Sequence, residues 1–212
     1  MMQVVSVNVG TEKAIQSKSG TSGIFKTPAN EPVFVGSECL ENDVIIDTKN
    51  HGGPDQAVYV YGTNDYDWWS DQLDRDLPPG LFGENLTVAG LESATLAVGN
   101  RLHLAEVVLE VTGPRIPCVT FAARMQDPQF AKKFAKAGRF GAYCRVIQTG
   151  YVSEGESVTM TPYDGDRIGI NDMADAFYKK PTDRATMERF LSVPIDIRSR
   201  KYYENRLAKL AE

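Results

Sequence analysis

Cys118 closes the segment Gly113-Pro114-Arg115-Ile116-Pro117-Cys118, which follows an alternating apolar run. Two prolines fix φ and remove two backbone donors, so this stretch is a stiff loop and not a continued strand. Arg115 stands three residues before the thiol and favours the thiolate if the loop brings the two together. A thiolate is both a nucleophile and a soft metal ligand. A free cysteine is also commonly an inert core residue, and Cys39 and Cys144, which lack this punctuation, are read that way.

Two further segments can carry chemistry. In His51-Gly52-Gly53-Pro54-Asp55 the glycines allow positive φ and close backbone approach to a ligand. Their amides can form an anion-binding concavity, although the segment alone is equally a tight turn. His51 is one of two histidines; the other, His103, lies on an alternating run and is read as structural. In Leu81-Phe82-Gly83-Glu84-Asn85-Leu86, Gly83 frees the backbone while Glu84 and Asn85 can hydrogen-bond a heterocycle edge. Read alone, it too is a turn. Four Cys/His ligands at zinc spacing, four thiolates for an iron–sulfur cluster, GxGxxG and a Walker-type loop are all missing from the sequence.

The elements that must position these residues are mostly strands up to about residue 162. Val5, Val7 and Val9 alternate with polar positions, as do Leu102 with Leu104 and Val107 with Leu109 and Val111. Further strands are expected at Val44–Asp47, Ala57–Tyr61, Tyr143–Thr149 and Glu156–Pro162. Glycine and proline punctuation makes the whole a barrel or sandwich. Two helices interrupt it. Tyr66, Trp69, Leu73 and Leu77 define the first, stopped by Pro78-Pro79. Asp127 caps the second, Pro128 opens it, Phe130, Phe134 and Ala137 form its stripe, and Gly138 ends it. Beyond Gly165 the pattern turns helical, with Met173–Tyr178, Arg184–Leu191 and Ser199–Leu210 broken at Pro181 and Pro194. Tyr203, Leu207 and Leu210 supply the apolar stripe of the last. The expected organisation is a mainly β domain over 1–163 and a small three-helix module over 164–212.

With 212 residues, 42% apolar and 24% charged, the chain has enough material for a real core. A formal charge of −5 without blocks of like charge argues against a nucleic-acid polymer as partner. No apolar run approaches the length of a membrane span, and the N-terminus reads as a strand and not a secretory signal. Three widely spaced cysteines fit reduced thiols in the cytoplasm.

Taken together and in this order, the three segments resemble the MOSC domain family, named for the C-terminal domain of molybdenum cofactor sulfurases. His51-Gly52-Gly53-Pro54-Asp55-Gln56-Ala57-Val58 matches its HGGxxxAV-type segment, and Phe82-Gly83-Glu84-Asn85-Leu86 its FGENL segment. Val98-Gly99-Asn100 followed by Pro114-Arg115-Ile116-Pro117-Cys118 matches the VGD and PRxPC elements. The three-helix tail is similar to the C-terminal module of the YiiM-like subgroup, so the resemblance extends over nearly the whole chain. Three departures stand out: Asn42-Asp43 and Gly99-Asn100 replace Gly-Asp pairs, and Gln56 occupies a position that is often Arg.

The resemblance implies a bent, closed β-barrel that holds a molybdopterin-type molybdenum cofactor, with Cys118 as the molybdenum ligand. His51, Gly52, Gly53, Gly83, Glu84, Asn85 and Arg115 would line the pterin and its phosphate. Arg115 is the strongest phosphate candidate because its fork can bind two oxygens. His51 joins Cys118 as a catalytic candidate, in the role of proton donor. The implied activity is molybdenum-dependent reduction of small N-hydroxylated compounds such as hydroxylaminopurines, a detoxification. No flavin, nicotinamide or iron–sulfur signature accompanies it, so a separate electron-donating reductase is the expected partner, and the chain itself is expected to be a monomer or homodimer. One alternative is sulfur transfer through a Cys118 persulfide, with pyridoxal phosphate entering only through a desulfurase partner. Another is a cofactor carrier without turnover.

Overall fold

The structure, a computed structural model, describes residues 1–16, 20–181 and 183–210; the last two residues of the expected 164–212 module lie outside this range. The chain opens with β1 (Met2–Gly10) and the short strands β2 (Lys13–Ala14), β3 (Thr21–Ser22), β4 (Lys26–Pro28) and β5 (Val33–Val35). β6 (Val58–Gly62) leads through α1 (Thr63–Leu73) to β7 (Leu86–Ala89), and β8 (Arg101–His103) and β9 (Val108–Pro114) follow. α2 (Val119–Arg124) and α3 (Phe130–Ala137) separate β9 from β10 (Ala142–Gln148), after which come β11 (Gly150–Val152) and β12 (Ser157–Thr161). The tail holds α4 (Ile170–Lys179), α5 (Arg184–Leu191) and α6 (Ile197–Lys209).

Eight strands form one sheet in the order β12-β8-β9-β10-β6-β7-β1-β4. β1 also pairs with β12, placing Met2 opposite Val158, so seven of these strands close into a ring. The result is the mainly β, barrel-like fold with added helices that the alternation pattern indicates. Among the described residues of the ring only β6 and β7 run parallel, with Val60 opposite Leu86. A parallel pair needs a crossover, and α1 supplies it.

Packing shifts several sequence expectations. In β1, Val4 and Val7 are buried while Val5 and Val9 are half-exposed. A bulge between Val4 and Ser6 shifts the pairing to β7 and breaks the strict alternation expected there. Ser6 and Asn8 therefore turn inward, where the Ser6 hydroxyl donates to Asn8 and the Asn8 amide donates to Thr87. Val44–Asp47 is not a strand. Asp43 commits its carboxylate to side chains and a backbone amide, and Ile45 packs against Gly52, so the segment forms a wall and not a ladder. α3 starts at Phe130, because Asp127 accepts from the Gln129 amide in a preceding turn. The six-residue helix α2 has no counterpart in the sequence pattern.

The barrel and the helices facing it share one core, joined by an aromatic group. Phe82 is fully buried, with ring centroids 5.0 Å from Tyr61, 5.0 Å from Tyr66 and 5.9 Å from Phe121. A second apolar cluster joins Met173, Met187, Phe190 and Tyr203 of the tail helices with Val98 and Ile168. Leu210, expected on the α6 stripe, is exposed. The tail rests on the barrel through Arg145, which pairs with Asp55 at 2.9 Å and Glu110 at 3.3 Å and also donates to the carbonyls of Pro194 and Ile195.

Candidate functional site

A cavity lies beside the barrel where the three sequence segments converge. Its walls include His51, Gly52, Gly83, Asn85, Arg115 and Cys118. The geometry follows from strand order. Because β6 and β7 run parallel, the segments entering them approach the same end of the sheet. The Asn85 amide N–H donates to the Tyr59 carbonyl at 2.8 Å, and the Asn85 side-chain oxygen accepts from the Tyr59 N–H at 3.0 Å. Pro114, at the end of β9, lies opposite Ala142 of β10, which pairs on its other side with Val60. Cys118 thereby reaches the same cavity.

Two glycines sit where another residue would not fit. Gly52 has φ 72° and Gly83 has φ 81°, both in the left-handed region. A Cβ on Gly83 would come 2.9 Å from an Ile24 side-chain carbon, and one on Gly52 would come 3.0 Å from Ile45. Ile24 and Ile45 thus press the two glycine turns into the cavity walls.

Cys118 is the residue before the first turn of α2 and is half-buried. Burial pushes its thiol up, but a hydrogen bond with His51, the Arg115 charge and the Phe121 amide outweigh it and bring it down to about 6. Cys144 has no such partners: it is fully buried and its thiol is raised far out of the physiological range. Arg115 is 5% exposed, its guanidinium lies 3.8 Å from the Phe121 ring centroid, and its Nη1 has no hydrogen-bond partner. The Gln56 Oε1 is likewise buried and unpartnered at the cavity wall. A cavity that presents an unpaired guanidinium nitrogen, an unpaired amide oxygen and an ionisable thiol is built to take a polar, anionic ligand.

Glu84 and Gly53 do not line the cavity. Glu84 is fully buried and uses Oε1 to accept from the Tyr66 hydroxyl at 2.6 Å, the Gly80 amide at 2.7 Å and the Thr87 hydroxyl at 2.7 Å. It holds the turn that carries Asn85. Burial pushes its carboxyl up despite those donors. A carboxyl raised on folding stabilises the fold below its unfolded range, and that stability is lost as pH rises through the folded value. Glu84→Gln lacks this titration, so its melting temperature should gain on the wild type as pH rises from about 4 through neutrality. A pH-independent difference in thermal denaturation would refute that role.

Sequence reasoning misses Lys26, Tyr59, Thr120 and Tyr143, which also line the cavity. Lys26 is buried and paired with Asp43, whose carboxylate also accepts from the Gly10 amide at 2.7 Å and the Asn85 side chain at 2.8 Å. Asp43 is visible in the sequence as half of the Asn42-Asp43 variant pair. Asn42 adopts φ 62°, a conformation that asparagine tolerates almost as glycine does, and the Asn100 side-chain oxygen accepts from the Ala97 amide at 2.7 Å. His103 faces Thr161 across β8 and β12, away from the site.

A closed barrel with a cysteine at the end of one strand and two glycine turns beside it defines a class of protein. The MOSC domain family model matches residues 47–159, and the chain belongs to that family. Among its relatives is YflK of Bacillus subtilis, 35% identical over 191 residues, covering 89% of this chain and 86% of the relative. A protein named Reductase from Gibberella moniliformis is 32% identical over 147 residues, covering 66% of this chain and 26% of that longer protein. The crystal structure of YiiM from Geobacillus stearothermophilus superposes with a TM-score of 0.80 at 28% identity. It covers 98% of this chain and 100% of that one, so the helical tail is shared. The family is associated with the molybdenum cofactor. Among the described residues no helix is long and apolar enough to cross a membrane.

Proposed function

We propose that this protein binds a molybdopterin-type molybdenum cofactor through Cys118 and reduces small N-hydroxylated compounds, including N-hydroxylated nucleobases. The observation that carries the reading is the Cys118 thiol, lowered to about 6 by His51 and Arg115 at the wall of an anion-suited cavity. A thiolate at neutral pH is the form that ligates a soft metal.

The residues present fit such a group. Among the described residues no cluster of three or more His, Cys, Asp or Glu side chains could hold a metal ion, and Cys118 would hold the metal of a cofactor that brings its own organic ligand. Arg115 Nη1 has a hydrogen bond to give to a phosphate oxygen, and the Gln56 Oε1 can accept from a ring N–H. When bound, the cofactor supplies two-electron chemistry at an oxygen atom. The chain's own residues do the rest. Gly52 and Gly83 let backbone approach the ligand, Arg115 balances its charge, and His51 holds a proton beside the reacting centre. The net reaction takes R–NHOH, two electrons and two protons to R–NH2 and water. The electrons come from a separate reductase, and the relative named Reductase supports a redox role.

Elemental analysis of freshly purified protein from a molybdenum-replete host tests the reading. Wild type should retain molybdenum and Cys118→Ser should hold at least about tenfold less. Equal molybdenum in both would refute the ligand role. Turnover of an N-hydroxylated purine with a chemical reductant should yield the amine; loaded protein without turnover would reduce the assignment to a carrier, and an added sulfur atom on Cys118 without molybdenum would favour sulfur transfer.

A further inference from the structure

The helical tail reaches the cavity wall from outside. Arg198, in the first turn of α6, donates through Nη2 to the carbonyls of His51 at 3.4 Å and Gly52 at 3.3 Å. The neighbouring Ile197 amide donates to Asp55 at 2.7 Å, and the Asp55 carbonyl accepts from the Thr112 hydroxyl at 2.6 Å. Asp196 donates its amide to the Thr112 carbonyl, and Arg145 fastens Asp55 to the Pro194–Ile195 segment. The loop from His51 to Asp55 is thus gripped by the start of α6 at both ends.

The peptide bond makes this grip directional. In a trans peptide the C=O and the following N–H point in opposite directions. With the His51 and Gly52 carbonyls drawn toward Arg198, the Gly52 and Gly53 amides point away from it. Among the described residues neither amide donates to another atom of the chain. Gly52, at φ 72°, lines the cavity, so its free amide is available to an anionic ligand there. A guanidinium on the carbonyl side also polarises both peptides in the sense that strengthens their N–H groups as donors.

We infer that Arg198 is a positioning residue for the anion end of the cavity: by holding the His51 and Gly52 carbonyls outward, it presents the Gly52 amide at the cavity wall to an anionic group shared with Arg115. This rests on the anion-binding cavity proposed above and adds a role for the tail. Arg198 itself touches no ligand; it acts through the loop. The helical module is then a working part of the site and not an appendage.

The test uses the full chain without cofactor and inorganic phosphate as probe. Protection of Cys118 from iodoacetamide is followed as phosphate is raised, for wild type, Arg198→Met, Arg198→Lys and, as a control, Lys179→Ala, which removes an exposed ion pair on α4. Wild type and Lys179→Ala should be protected at the same phosphate concentration. Arg198→Met should need about tenfold more, and Arg198→Lys, with one ammonium for two carbonyls, an amount between. If Arg198→Met does not fold, Arg198→Lys decides the question. Wild-type phosphate affinity in a folded Arg198 variant, even with a lowered melting temperature, would show a merely structural role and overturn the inference. A wild type that phosphate never protects would overturn the anion-binding cavity itself, and this inference with it.

Discussion

His51→Ala should move the pH midpoint of Cys118 alkylation upward by at least about one unit and so cut its rate at pH 7 by at least about twofold. In the wild type the thiol is half ionised near pH 6, although burial alone would raise it. The hydrogen bond with His51 is the foremost of the groups that oppose burial, ahead of the Arg115 charge and the Phe121 amide. Removing the imidazole leaves those two, so the midpoint moves toward the ordinary thiol range without reaching it. The direction follows from which form reacts: the thiolate alkylates, and its population at pH 7 falls when the midpoint rises past 7. The same shift bears on stability. A thiol lowered on folding contributes stability that is present above its unfolded range, about 8.5, and is lost as pH falls through about 6. Iodoacetamide rates from pH 5 to about 9 read this directly. Superimposable profiles for wild type and His51→Ala would remove His51 from the site's chemistry.

Phe82→Ala should destabilise the fold by about 3–5 kcal/mol, a loss on the order of 10 °C in melting temperature. Phe82 is fully buried and its ring is shared among strand β6 through Tyr61, helix α1 through Tyr66, helix α2 through Phe121 and helix α3 through Phe130 and Phe134. No single neighbour can relax to fill the space, because each is held by a different element. Phe82 also begins the turn that carries Gly83 and Asn85, and Phe121 lies three residues beyond Cys118. The variant should therefore lose phosphate protection of Cys118 as well as stability, whereas Phe82→Leu should retain most of both. Calorimetry that places Phe82→Ala within about 1 kcal/mol of wild type, on the order of a surface change, would show that the aromatic group is not the keystone of the core.

Much of the site is legible in the sequence because its residues carry local constraints. Two prolines and a cysteine in six residues, or two adjacent glycines after a histidine, leave few conformations, and those conformations survive in the folded chain. The strand through Leu109 and Val111 is legible from its alternating composition, although Glu110 and Thr112 on its other face are buried as well. What the sequence hides depends on distant partners. The inward turn of Ser6 and Asn8 follows a bulge dictated by β7. Lys26 reaches the cavity only because Asp43, seventeen residues later, receives it. Val44–Asp47 has strand composition, yet its neighbours offer it side chains and glycine turns instead of a free ladder. Arg198 is invisible as a functional residue, since nothing in a short helix near the C-terminal end of the sequence points to a loop 147 positions earlier. Glu84 shows the opposite error: a polar residue in a motif looks like a ligand contact but serves the turn beneath it.

The seam between β1 and β12 joins Met2 to Val158, whereas the cavity is lined by residues from Thr21 to Tyr143. Closing that seam demands the longest chain excursion in the barrel, the kind of contact that makes folding slow. It also separates two kinds of opening. A fluctuation that unzips the seam frees Met2 and Gln3 first, whereas the other end of β1 is fastened to the cavity wall by the Gly10 amide on Asp43 and by pairing with β4, so the join can open before the pocket loses its shape.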